Sequence, residues 1–85
     1  MSDRKGFKMD KVIEITNRAV ADYGFRQAVM YGADDIGRRW GLTQAEQAVL
    51  EGTALDLLIS LPVPVPPADI PVEQARLEAE IRAAG

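Results

Sequence analysis

Between Lys11 and Gly52, every stretch of helical periodicity is closed by a glycine, at Gly24, Gly32, Gly41 and Gly52. Glycine enters the left-handed conformation that ends a helix without a steric penalty, so this spacing admits only helices of about two to four turns. The expected fold class is therefore all-α, a compact bundle of four or five short helices with a proline-linked helix at the C-terminus. The densest punctuation is Trp40-Gly41-Leu42-Thr43-Gln44-Ala45-Glu46. Gly41 is placed to end one helix, and Thr43 with Glu46 three residues on forms a capping box that starts the next.

Taken in order, residues 1–9 are polar and basic and read as a flexible arm. Asp10 is placed to cap a helix in which Val12, Ile13, Thr16, Ala19, Val20 and Tyr23 recur at spacings of three and four, closing at Gly24. Phe25, Ala28 and Val29 carry the apolar stripe to Gly32, and Asp34 or Asp35 caps the next helix ahead of Ile36 and Trp40. Gly37 falls inside that helix at a cost of about 0.5–1 kcal/mol relative to alanine, so it either permits close packing or marks an imperfect helix. After the corner, Ala45, Ala48 and Val49 line the expected buried face, and Gly52 ends the helix. Thr53, with Asp56 three residues on, is placed to cap a further one. That last piece, Ala54 to Leu61, is almost wholly apolar and reads as the central buried helix, with an exposed docking surface as the alternative.

Pro62 to Pro67 fixes φ at four positions and favours extended backbone, so residues 62–69 read as a semi-rigid linker that packs its valines on the body. Asp69-Ile70-Pro71 opens a helix over residues 70–85 with Ile70, Leu77, Ile81 and Ala84 on one narrow face. The expected divisions are an arm (1–9), a helical bundle (10–61), a linker (62–69) and a terminal helix (70–85). The expected core is Val12, Ile13, Val20, Phe25, Val29, Ile36, Trp40, Leu42, Val49, Leu55, Leu58 and Ile59.

Composition bears on function chiefly through the absence of cysteine and histidine among the 85 residues. Disulfides, thiolate nucleophiles, imidazole bases and the usual zinc ligands are all removed together. The adjacent Asp34 and Asp35 cannot point the same way on a helix, so they are caps and not a catalytic pair. No glycine is followed by Lys-Ser or Lys-Thr, as a phosphate loop requires. The expectation is no enzyme, no cofactor, no metal and no small-molecule substrate. The net charge of −3 argues against nucleic acid as a partner. With no signal peptide and no run of about 20 apolar residues, a cytoplasmic protein with no membrane association is expected.

The run from Ala33 to Glu46 has the form of a DNA-binding helix-turn-helix, with Ile36, Gly37, Gly41 and Leu42 at the template positions. Gln47, however, stands where the second helix needs an apolar contact. The would-be recognition helix, Gln44 to Leu50, also offers no Arg, Lys or Asn to base edges.

Phe25-Arg-Gln-Ala, then Trp40-Gly-Leu-Thr-Gln-Ala-Glu-Gln-Ala-Val-Leu-Glu-Gly, then Leu55-Asp-Leu-Leu-Ile-Ser-Leu together resemble the small helical domain of LigA type, the α-subunit domain of protocatechuate 4,5-dioxygenase. The same pattern is similar to the leader domains of borosin-type and related peptide precursors. The resemblance implies a helical bundle that does no chemistry itself and is bound by, or covers, an enzyme. A modified precursor would end in a core to be modified. Here Ser60 is the only hydroxyl residue beyond Thr53, and five of the residues from Pro62 to Pro71 lack an N–H. The expected function is thus a non-catalytic protein-binding or accessory module, with a leader-type precursor and a helix-turn-helix regulator as alternatives. A protein partner or self-association is expected, through Arg38, Arg39, Leu57, Leu61, Val63, Val65, Leu77 and Ile81.

Overall fold

A computed structural model describes residues 9–85, and they form an all-α bundle. The helices are α1 (Asp10–Ala21), α2 (Tyr23–Tyr31), α3 (Ala33–Trp40), α4 (Gln44–Val49), α5 (Leu55–Ile59) and α6 (Ile70–Ala84). Dimensions of 39 × 25 × 16 Å leave room for two helix layers, given interaxial spacings of about 8–10 Å.

The stripe expected on α1 is buried from Val12 to Val20, with Ile15 added to it, while Tyr23 falls on α2 and is exposed; the Thr16 hydroxyl within the stripe donates to the Val12 carbonyl at 2.8 Å. Both ends of α1 differ from expectation. Its N-cap is Met9, a core residue, so the chain enters the helix from the interior and Asp10 is already helical. The remainder of the expected arm, residues 1–8, lies outside the described residues. At the other end α1 stops at Asp22, not Gly24, because Asp22 turns extended and its carboxylate accepts the Phe25 N–H at 3.1 Å. That side chain caps α2, and Gly24 is absorbed into the first turn of α2.

The corner after α3 follows the sequence. Gly41 has φ 69° and ψ 39°, the left-handed C-cap, and its N–H bonds back to the Arg38 carbonyl. The Glu46 N–H donates to the Thr43 hydroxyl at 3.1 Å, and the Thr43 N–H donates to the Glu46 carboxylate at 2.7 Å. The Lys11 ammonium reaches the Gly41 carbonyl at 3.4 Å and ties α1 to this corner.

Past the corner, Gly52 does not stop the helix, and Thr53 does not cap a new one. A π-helical turn, Leu50–Ala54, joins α4 to α5 in one rod from Gln44 to Ile59. The buried residues of this rod, Glu46, Leu50, Ala54 and Leu58, recur at intervals of four. Each step of four overshoots an α-helical turn by about 40°, and the wider π turn takes up that drift so that the stripe keeps facing the core. The expected face is consequently rotated. Ala45 and Ala48 are exposed, Val49 is half-buried, and Ile59, expected in the core, points outward.

The proline segment contains a cis Val63–Pro64 bond and ends in a 3₁₀ turn, Pro67–Asp69, before α6. Helix α6 lies antiparallel on α1: Gln74 near its start donates to the Asn17 carbonyl at 2.8 Å, and Arg82 near its end meets Asp10 at 3.8 Å. Leu77 and Ile81 are fully buried against the body. The terminal helix is thus part of the bundle, and the thin stripe read from its sequence suffices because α1 is its principal neighbour.

Candidate functional site

Arg26 is 1% exposed, and no carboxylate lies within ion-pair distance of it among the described residues. Its Nη1 donates to the carbonyls of Leu58 and Leu61, both at 3.2 Å, and its Nη2 to that of Pro62 at 2.6 Å. These carbonyls lie at and just beyond the C-terminus of α5, where i→i−4 donors run out, only long 3.2 Å bonds from Ser60 and Leu61 N–H close the last turn, and the helix dipole favours a cation. The Tyr23 ring covers the guanidinium, with its centroid 4.8 Å from Cζ. Its Nε has no partner, and among the described residues the other unpartnered buried side-chain atom is Asn17 Oδ1. The planar fork of arginine suits this task, since one side chain reaches three carbonyls that diverge from the helix end.

The clamp fixes what surrounds it. Ile59 follows Leu58, and Val63 follows Pro62, so both side chains project from backbone anchored by Arg26. They are 61% and 64% exposed, and Tyr23 beside them is 37% exposed. Leu58, Leu61 and Val65 face inward between them and lock the segment from below. Exposed apolar side chains thus stand on the backbone that Arg26 holds and on the ring that covers it. Tyr31 and Val72 are also exposed, on other elements.

The residues expected to contact a partner divide by burial. Leu61, Val65, Leu77 and Ile81 are core residues of the chain itself and do not form an outer surface, because the linker and α6 fold back onto α1 and α5. Leu57 is half-buried, and only Val63 of the apolar set is freely exposed. Arg38 and Arg39 are exposed but engaged on their own helix: Arg38 with Asp34 at 3.9 Å and Asp35 at 3.5 Å, and Arg39 with Asp35 at 3.0 Å. Screened surface pairs of this kind contribute little stability, and here they neutralise the arginines locally.

Between α3 and α4 lies an open groove of about 350 Å³ lined by Asp34, Gly37, Arg38, Leu42, Thr43, Gln44 and Gln47. Thr43 is committed to the capping box, and Gln47 Nε2 donates to the Ala33 carbonyl at 3.0 Å and to the Glu51 carboxylate at 2.6 Å. The α3–corner–α4 unit has helix-turn-helix form, and the exposed side of α4 carries Gln44, Ala45 and Ala48, none of them cationic. Among the described residues no cluster of three or more Asp and Glu could hold a metal ion, and no helix is long and apolar enough to cross a membrane. No family model, curated protein or solved structure matches this chain.

The sequence reading assigned Arg26 no role, and it put Ile59 in the core and Tyr23 on the first helix's apolar stripe, whereas the structure exposes both. Arg26 did leave a trace, for it stands at helical spacing with Val29 and Ala33 on an apolar face, and all three are buried. Ile59 left none, because its outward turn follows from the π turn upstream.

Proposed function

We propose that this chain is a non-catalytic protein-binding or accessory module that docks through the patch of Tyr23, Ile59 and Val63. The observation that carries the reading is the pairing of a buried arginine clamp with two exposed β-branched side chains on the backbone it anchors. Burying an arginine against neutral carbonyls is costly, and rigid presentation of apolar side chains reduces the entropy lost when a partner covers them. Absence of histidine and cysteine, and the resemblance to a domain that serves a partner enzyme, point the same way. The helix-turn-helix regulator has no comparable support, since the would-be reading helix exposes no cation.

The test is site-specific photo-crosslinking in native cells, with a photoreactive residue at position 59 and, as a control, at the exposed Glu80. A discrete protein adduct at 59, lost when Val63→Asp is added, is the expected result. Adducts that form at 80 and not at 59, or that ignore the charge at 63, would overturn the patch as the docking surface.

A further inference from the structure

From Trp40 to Ala75 the chain contains no lysine or arginine and five carboxylates: Glu46, Glu51, Asp56, Asp69 and Glu73. This interval builds the whole α4–α5 rod and the proline bend. Among the described residues five acids meet cations: Asp34 and Asp35 with Arg38 and Arg39, Glu73 with Arg76, and Asp10 and Glu78 with Arg82. Asp56 has no such partner among the described residues. It stands one turn before Ile59 and therefore on the same side of α5. Across the patch, Asp22 adjoins Tyr23 and is likewise exposed, its carboxylate engaged only with the Phe25 N–H. Of the nearby cations, Arg26 is buried with its fork on carbonyls, and Arg18, four residues before Asp22, stacks over the Phe25 ring at 4.6 Å without an ion pair to Asp22.

Carboxylates thus stand beside the exposed apolar side chains, and the rod and bend supply no cation of their own. Along the rod leading away from the patch, the exposed residues are Gln44, Ala45, Ala48, Glu51, Gly52 and Asp56, and space around Gly52 is open, with no atom within 4 Å of where a Cβ would stand. Resting on the docking reading above, we infer that the occupant of this surface is a basic amphipathic helix of a partner protein. Its apolar stripe covers Ile59 and Val63, and its flanking Lys or Arg side chains face Asp56 and Asp22. Such a helix supplies both the apolar contact and the charges this surface lacks.

Two synthetic helical peptides of about 18 residues, some five turns, separate the terms. Both carry the same leucine stripe, one flanked by lysine and one by glutamate, and each is titrated into the isotopically labelled full chain by NMR. The lysine peptide is expected to shift the amides of residues 22–24 and 56–64, with affinity that falls as salt is raised. The double variant Asp22→Asn, Asp56→Asn should weaken it at least about three-fold while leaving the fold intact, since asparagine caps a helix as well as aspartate does. Equal binding of the glutamate peptide, shifts centred on α3, or indifference to the double variant would each sink the inference. If neither peptide binds but position 59 still cross-links to a protein, the basic-helix assignment fails and the docking reading stands. If neither occurs, both fail.

Discussion

The side chain of Gln47 lies against the α-carbon of Gly37, so close that a Cβ on residue 37 would come 1.5 Å from Gln47 Oε1. Gly37 is thus a close-packing glycine: the mid-helix cost in α3 is offset by letting Gln47 reach across to the Ala33 carbonyl and join α3 to α4. The obstructing atom is the end of a flexible side chain, which sets the expected outcome. Gly37→Ala alone should change stability by less than about 1 kcal/mol, since helix propensity gained is offset by the Gln47 bonds lost. In a Gln47→Ala background the same substitution should stabilise by about 0.5–1 kcal/mol. A double-mutant cycle in urea that yields no coupling between the two sites would show that they do not meet.

Arg26→Ala should be among the most damaging substitutions in the chain, costing about 3–5 kcal/mol, because the Leu61 and Pro62 carbonyls lose their donor, the Leu58 carbonyl keeps only the Leu61 N–H, and a large buried side chain leaves a void. Against the usual 5–15 kcal/mol stability of a domain, that is a large fraction. Arg26→Lys should cost less than the alanine change but still measurably, since one ammonium cannot span all three acceptors. Chemical denaturation gives the magnitudes, and hydrogen exchange should show the first local loss of protection around residues 58–65.

Helix α6 gives a sharp contrast between two apolar residues five apart. Leu77→Ala should destabilise by about 2–5 kcal/mol, as a large-to-small change at a fully buried site does. Val72→Ser, at an exposed position, should stay within about 0.5 kcal/mol of the parent. Equal, small effects in thermal unfolding would mean that α6 is tethered and not packed.

At the corner, Thr43→Ala should cost about 1 kcal/mol through loss of the cap on the Glu46 N–H, whereas Glu46→Gln should be nearly neutral because glutamine completes a capping box as well. Gly41→Ala forces a side chain into φ 69° and should cost about 1–2 kcal/mol. Denaturation midpoints rank the three.

The helical content and the α3–α4 corner were legible because their signals are interactions between residues two to four apart. Gly24 and Gly52 misled for a related reason, since glycine permits a helix to end but does not compel it. At residue 22 a competing cap ended α1 earlier, and at residue 52 a π turn carried the rod through. The candidate patch was mostly hidden. Leu61, Val65, Leu77 and Ile81 are apolar in sequence whichever surface they cover, and only the fold shows that they face inward.

What the sequence by itself determined is a set of short helices, a capped corner, a chain without imidazole or thiol, and an acidic interval from residue 40 to residue 75. The tertiary structure alone decided that Arg26 is buried, that Ile59 and Val63 face outward, and that α6 belongs to the bundle. The physical reason is distance along the chain: Arg26 meets carbonyls 32 to 36 residues away and Gln74 an acceptor 57 residues away, and no local propensity encodes contacts of that range.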